Sequence, residues 1–197
     1  MRALSLLRRL RKDREGAAAI EFALVAPVLF LLLFGIYDIG HTAYLVSVLH
    51  GAVEDVARDA TLEDTSTTTA DAWVTNIVKG IAPGATVATT RTSYYDFSDI
   101  KRPEAWNDKD NDGTCDNSEA YTDENRNGRW DPDIGQSGNG GANDVVLYTV
   151  TVTYKPLIAI PLLDNVDQTR TLTAKAVQKN QPYALQGAYG SQAGTCK

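Results

Sequence analysis

From Ala17 to Tyr37 the chain reads AAAIEFALVAPVLFLLLFGIY, 21 residues of apolar character broken only by Glu21. A run of that length spans a bilayer as a helix. Past it the spacing stays helical, with Ile39, Ala43, Val46, Val53, Val56, Ala57 and Ala60 falling near one face. The pattern predicts one continuous helix from about Ala17 to Leu62, roughly 70 Å long at about 1.5 Å per residue. Residues 17–37 form its transmembrane half and residues 38–62 its extramembrane half. Pro27 is tolerated inside a membrane helix. The threonine-rich EDTSTTTAD at 63–71 reads as a loop ending in a capping residue, Thr69 or Asp71. A short helix, Ala70 to Ile81, follows and stops at Pro83-Gly84.

The period then changes. Residues 85–95 and 144–155 are rich in β-branched and aromatic types, and in the second Val146, Tyr148, Val150, Val152 and Tyr154 alternate with Val145, Leu147, Thr149, Thr151 and Thr153. A third alternating run, TRTLTAKAVQK at 169–179, is separated from it by the proline-broken PLIAIPLL. Strands with one apolar face need cover, and the extramembrane half of the first helix is the long amphipathic element available. The expected fold is α+β and pilin-like, a long N-terminal helix packed by an antiparallel sheet, with the head at residues 63–197.

Charge orients this arrangement. The formal total of −6 conceals six basic side chains among residues 1–16 (Arg2, Arg8, Arg9, Arg11, Lys12, Arg14) against Asp13 and Glu15, which leaves −10 for the remainder. A basic segment before the apolar run places residues 1–16 in the cytoplasm, as a leader, and the body outside the inner (cytoplasmic) membrane, in contact with lipid only through its single span. An acidic body excludes nucleic acid as the partner. A cleaved secretory signal would carry its small residues after the apolar stretch, whereas Gly16, Ala17, Ala18 and Ala19 precede it. Cutting between Gly16 and Ala17 makes Glu21 the fifth residue of the mature chain, able to pair with the new ammonium of its own or a neighbouring subunit.

A basic leader, Gly16, AAAIE and a long apolar helix resemble the processing site of type IV prepilins. The longer run REGAAAIEFALVAPVLFLLLFGIYDIGHTAYLVSVLHGAVEDVARDAT, about a quarter of the chain, resembles the N-terminal domain of the TadE family of tight-adherence (Tad) pilus systems. The resemblance implies cleavage after Gly16 by a prepilin peptidase, a pilin architecture, and work as a minor pilin or pseudopilin in pilus assembly and adhesion. Its partners would be other pilin and pseudopilin subunits and the inner-membrane assembly platform. TadE-like proteins often carry TDxNxNGxWDxDxG before a strand, which TDENRNGRWDPDIG and DVVLYTVTVTY resemble here.

The acidic insertion, residues 107–135, carries its own chemistry. DKDNDGTCDNSE places Asp108, Asp110, Asp112, Gly113, Asp116 and Glu119 at positions 1, 3, 5, 6, 9 and 12 of a calcium loop, with the Thr114 carbonyl at position 7. Alternate carboxylates aim hard oxygens at one point, glycine permits the turn, and Glu119 closes bidentately. Fifteen residues on, DENRNGRWDPDI repeats the scheme with Asp123, Asn125, Asn127, Gly128, Asp131 and the Arg129 carbonyl, but position 12 is Ile134. Asp133 is the substitute near at hand, or a ligand from elsewhere, and without a bidentate closer this site is expected to be the weaker of the two. The spacing leaves no room for EF-hand helices, so the loops read as tandem structural calcium sites. The only cysteines, Cys115 and Cys196, allow one intrachain bridge in an oxidising compartment.

No nucleophile elbow, metalloprotease motif or phosphate-cradling glycine loop occurs, and His41 and His50 lie nine residues apart on different sides of the first helix. The chain is expected not to be an enzyme. The alternative to a pilin is a single-pass anchored calcium-binding module that never enters a filament; cleavage after Gly16 separates the two.

Overall fold

A computed structural model describes residues 16–60, 67–158, 168–182 and 190–197. The leader up to residue 15, residues 61–66 of the threonine-rich loop and most of PLIAIPLL lie outside the described residues. The chain divides into two compact units, one of Met1–Ala43 with Pro156–Gln168, the other of Tyr44–Lys155 with Thr169–Lys197.

Helix α1 runs Ala17–Asp59, with Pro27 inside it. In the first unit its apolar side chains point outward on all sides: Leu24, Val25, Val28, Leu32 and Ile36 are each more than 60% exposed. A helix apolar all round is stable only in an apolar surrounding. Among the described residues it is the one helix long and apolar enough to cross a membrane.

In the second unit Leu45, Leu49, Ala52, Val53 and Val56 of α1 enter the core at helical spacing. The expected face was partly misplaced. Val53, Val56 and Ala57 are buried, yet Ile39 is 70% exposed, Ala43 is exposed, and Leu45 and Leu49 hold the line instead. Ile39 and Ala43 belong to the stretch that is apolar on every side, where periodicity cannot mark a face.

Helix α2, Thr67–Ile81, starts three residues before its expected Ala70 and buries Val74 and Val78. It ends in a turn where Ala85 N–H donates to the Ala82 carbonyl (3.1 Å) and Gly84 adopts φ +83°, a conformation glycine takes without strain. Asp71 does not cap it. Its carboxylate lies within the helix and accepts from Arg91 (2.7 and 2.9 Å), Tyr148 Oη (2.8 Å) and Thr89 Oγ1 (3.0 Å). Burial pushes its pKa up, but the Arg91, Tyr148 and Thr89 bonds outweigh that and hold it below the ordinary 3.8. Tertiary donors won over a local cap, and the Arg91 guanidinium also stacks 4.3 Å over the Tyr148 ring.

Strands β1 (Thr86–Tyr94), β2 (Ala120–Asp123), β3 (Gln136–Ser137), β4 (Val145–Tyr154), β5 (Arg170–Lys179) and β6 (Gln192–Thr195) complete the fold. The main sheet has the order β3-β1-β4-β5, antiparallel throughout. Thr86 faces Thr153 and Tyr94 faces Val145 on one side of β4, while Val145 faces Lys179 and Tyr154 faces Arg170 on the other. Tyr148, Val150, Val152 and Tyr154 join α1 and α2 in the core. The fold is α+β as expected, a long apolar helix with an antiparallel sheet. Two helices, not one, supply the cover. At its N-terminal end β4 is buried on both faces, because Val145 and Leu147 form a second cluster with Tyr94, Ile100 and Ile134.

Strands β2 and β6 have no counterpart in the sequence reading. They form a separate two-stranded sheet, Ala120 facing Thr195 and Asp123 facing Gln192.

Candidate metal centre

The insertion is anchored before its loops begin. Arg102 binds Glu124 through two hydrogen bonds (2.8 and 2.9 Å) and Asp99 through two more (3.0 and 3.1 Å). Trp106 and Trp130 meet edge to face at 5.1 Å, and Trp130 Nε1 donates to the Glu104 carbonyl (3.0 Å).

In the first loop the turn sits where the sequence places it. Asn111 and Gly113, at positions 4 and 6, adopt φ +60° and +80°. Asp108 accepts the Asp112 and Gly113 N–H groups (3.2 and 3.1 Å), and Asp112 Oδ1 accepts the Thr114 N–H and hydroxyl (2.7 Å each). Carboxylate oxygens of Asp108, Asp110 and Asp112 all lie within 4.8 Å of one another. The Thr114 hydroxyl and N–H hold Asp112 below the ordinary carboxylate pKa. Asp116 is pushed the other way, first by desolvation and then by the charges of Asp112, Asp110, Glu119 and Asp108.

Glu119 is 1% exposed. Its Oε1 accepts the Lys109 N–H at 2.5 Å, while its buried Oε2 has no hydrogen-bond partner, and neither has Asp116 Oδ1. A buried carboxylate oxygen left unpaired costs about 1–3 kcal/mol or more. These atoms suit a hard cation.

The second loop repeats the frame. Arg126 and Gly128 adopt φ +60° and +82°; Asp123 accepts the Asn127 and Gly128 N–H groups (3.1 and 2.8 Å), and Asn127 Oδ1 accepts the Arg129 N–H (2.9 Å). Asp131 Oδ2 accepts from Asn125 Nδ2 (2.7 Å) and Asn127 Nδ2, and Arg129 Nε lies 3.2 Å from Asp131 Oδ1.

Ile134 at position 12 packs in the Tyr94 cluster, which explains why no acid stands there. Asp133, the substitute near at hand, is turned toward Tyr94. Its carboxylate accepts the Tyr94 hydroxyl (3.0 Å) and the Gly135 N–H (3.0 Å). With burial, that bond pushes the Tyr94 pKa up to about 12.

A residue outside the insertion, absent from the sequence reading, lies against this loop. Glu104 is fully buried; its Oε1 accepts the Glu124 and Asn125 N–H groups (2.7 and 3.4 Å) and its Oε2 the Asp131 N–H (3.1 Å). Desolvation raises its pKa, and the nearby Asp123 adds to the rise, against the lowering by these backbone bonds. Only the empty position 12 hinted that an acid was needed, and no spacing rule points to residue 104.

Cys115, at position 8 of the first loop, is bridged to Cys196 with Cα atoms 5.7 Å apart. Cys196 N–H donates to the Glu119 carbonyl (2.8 Å), so β6 and the bridge hold the strand that runs from the last residue of one loop to the first of the other.

On α1, Glu21 is exposed, and among the described residues a Cβ added at Gly16 would meet nothing within 4 Å. His50 Nδ1 lies 2.9 Å from the Val46 carbonyl and His41 stacks on Tyr37, contacts along the helix.

Residues 16–58 match the family model described as TadE-like protein. The matched segment is α1 with Gly16 before it; the insertion and the strand motif at 144–154 lie outside it. No curated protein and no solved structure matches the chain.

Proposed function

We propose that the chain is a minor pilin or pseudopilin of a Tad-like pilus, cut after Gly16 by a prepilin peptidase and anchored by residues 17–37 until it joins other subunits. The observation that carries this reading is the TadE-like match over 16–58, on a helix apolar all round except for Glu21. Cleavage would leave an ammonium at Ala17, one helical turn from the Glu21 carboxylate. Out of water the two charges are costly apart and far less so paired, within a chain or between adjacent subunits. The space around Gly16 supports an external reason for its small size, since the described fold would accommodate a side chain there. Lipid, the assembly platform and neighbouring pilins are the partners this assigns, with pilus assembly and adhesion as the role.

N-terminal mass spectrometry with and without the peptidase tests it. The mature chain should begin at Ala17, and Gly16→Leu should block processing; a Met1–Gly16 leader retained in assembled pili rules the reading out. Glu21→Ala should insert in the membrane as well as wild type yet fail to assemble.

The insertion binds calcium in this reading, Asp108, Asp110, Asp112, Asp116, Glu119 and the Thr114 carbonyl holding the first ion. Asp123, Asn125, Asn127, Asp131 and the Arg129 carbonyl would hold a second. The supporting observation is the buried, unpaired Glu119 Oε2. Bound calcium would supply positive charge to oxygens that burial has taken out of water, with a structural effect and no catalytic one. An affinity of about 10⁻⁴ to 10⁻³ M is enough outside the cell. Melting of the full-length chain should rise with calcium, by about 2.7 kcal/mol of stability at a hundred times Kd. A melt identical in calcium and chelator returns the segment to a solvated acidic loop.

A further inference from the structure

We propose that Glu104 is a calcium ligand, closing the second loop from outside it as Glu119 closes the first from within. The inference rests on the calcium reading of the first loop. It begins from the coincidence of the two frames. In each, the acid at position 1 (Asp108, Asp123) accepts the N–H groups of positions 5 and 6, and position 5 accepts the N–H of position 7. In the first frame the N–H of position 2, Lys109, fixes Glu119 Oε1 at 2.5 Å. In the second the N–H of position 2, Glu124, fixes Glu104 Oε1 at 2.7 Å. Glu104 therefore stands where a position-12 glutamate would stand, although it comes 19 residues before the loop starts at Asp123.

Charge points to a cation independently. Glu104 is 0% and Asp123 3% exposed. Among the described ion pairs Arg102 goes to Asp99 and Glu124, and Arg129 to Asp131, so neither buried carboxylate is matched by a guanidinium or ammonium. Buried charges persist when paired or when they hold a metal. The twin loop shows the same deficit in sharper form, with Glu119 buried and Oε2 unpaired. Asp133, the acid beside position 12, is turned to the Tyr94 hydroxyl and the Gly135 N–H, and Ile134 packs against the Tyr94 cluster, whereas the Glu104 carboxylate takes its bonds from N–H groups of the second loop itself. A donor set of carboxylate, amide and carbonyl oxygens suits calcium, the hard cation that accepts an all-protein oxygen set.

Calcium titration of the full-length chain in detergent, by calorimetry and equilibrium dialysis, decides the matter. Wild type should take two ions per chain, Glu104→Gln one, Glu119→Gln one, and the double variant none. Glu104→Asp, which keeps the charge and shortens the arm, should still take two, with the weaker site at least about tenfold weaker and the stronger unchanged. That variant carries the test if Glu104→Gln does not fold. A wild type holding one ion that Glu119→Gln removes, or unaltered binding in both Glu104 variants, overturns the assignment while leaving the first site standing. A wild type that binds no calcium overturns both.

Discussion

Around Leu49, Val53, Val78 and Val150 the head is closed by side chains with at most 1% exposure, and nothing further is needed to complete their packing. Within residues 104–131, where most side chains are exposed or half-buried, three carboxylates, those of Glu104, Glu119 and Asp123, are at most 3% exposed and are held by backbone N–H groups. Apolar burial is self-sufficient, each group gaining about 25 cal/mol per Å² removed from water. Buried carboxylates are not self-sufficient. They fold a segment only with help, here a disulfide, the Arg102 clamp, a tryptophan pair and, in our reading, calcium. The core should thus be indifferent to conditions that govern the insertion.

The largest test of that contrast is Leu49→Ala, which removes a side chain 1% exposed in the main cluster. It should destabilise by about 2–5 kcal/mol. The loss, measured by urea titration, should be the same in calcium and in chelator; a calcium-dependent loss would mean that core and insertion are not separable.

Next comes the bridge, whose cysteines are 81 residues apart. Replacing both by serine should cost about 2–4 kcal/mol. Hydrogen exchange should rise first at the β2–β6 pairs and at the Cys196 N–H, with β4 and β5 still protected. Uniform exchange throughout the head would assign the bridge to global stability and not to the insertion.

The smallest effect is expected at Asp71, where a polar network sits on the core side. Asp71→Asn should cost about 1 kcal/mol once partial exposure is allowed for. Because the folded-state pKa of Asp71 lies below 3.8, its contribution is present above that value and lost as pH falls through the depressed one. Melting between pH 5 and 2, roughly the span below which carboxylates are neutral, should therefore fall less steeply in the variant. Parallel slopes would show that the Arg91 pairing contributes nothing.

The helices, the three long strands and the two loop frames were legible because each is a local signal. A 21-residue apolar run, a period of two in Val145–Tyr154, or carboxylates at alternate positions can each be read within one short continuous segment. Boundaries were less legible: α2 begins at Thr67, three residues before the expected Ala70.

By itself the sequence determined a long apolar helix with a small residue before it, a sheet built to be covered on one face, and two acidic loops that turn at a glycine. It also determined which cysteines could pair, there being only two. The tertiary structure decided that Leu45 and Leu49 face the core, that β4 is buried on both sides, and that β6 lies along β2. It brought Asp71 to Tyr148 across 77 residues and Glu104 to the N–H groups of Glu124 and Asp131 across 20 and 27. Contacts of that range leave no period in the chain, because the chain between them enters only as a loop whose closure cost varies slowly with length. What selects them is the requirement that a buried polar group find a partner, and that requirement can be read only where the folded chain places the group.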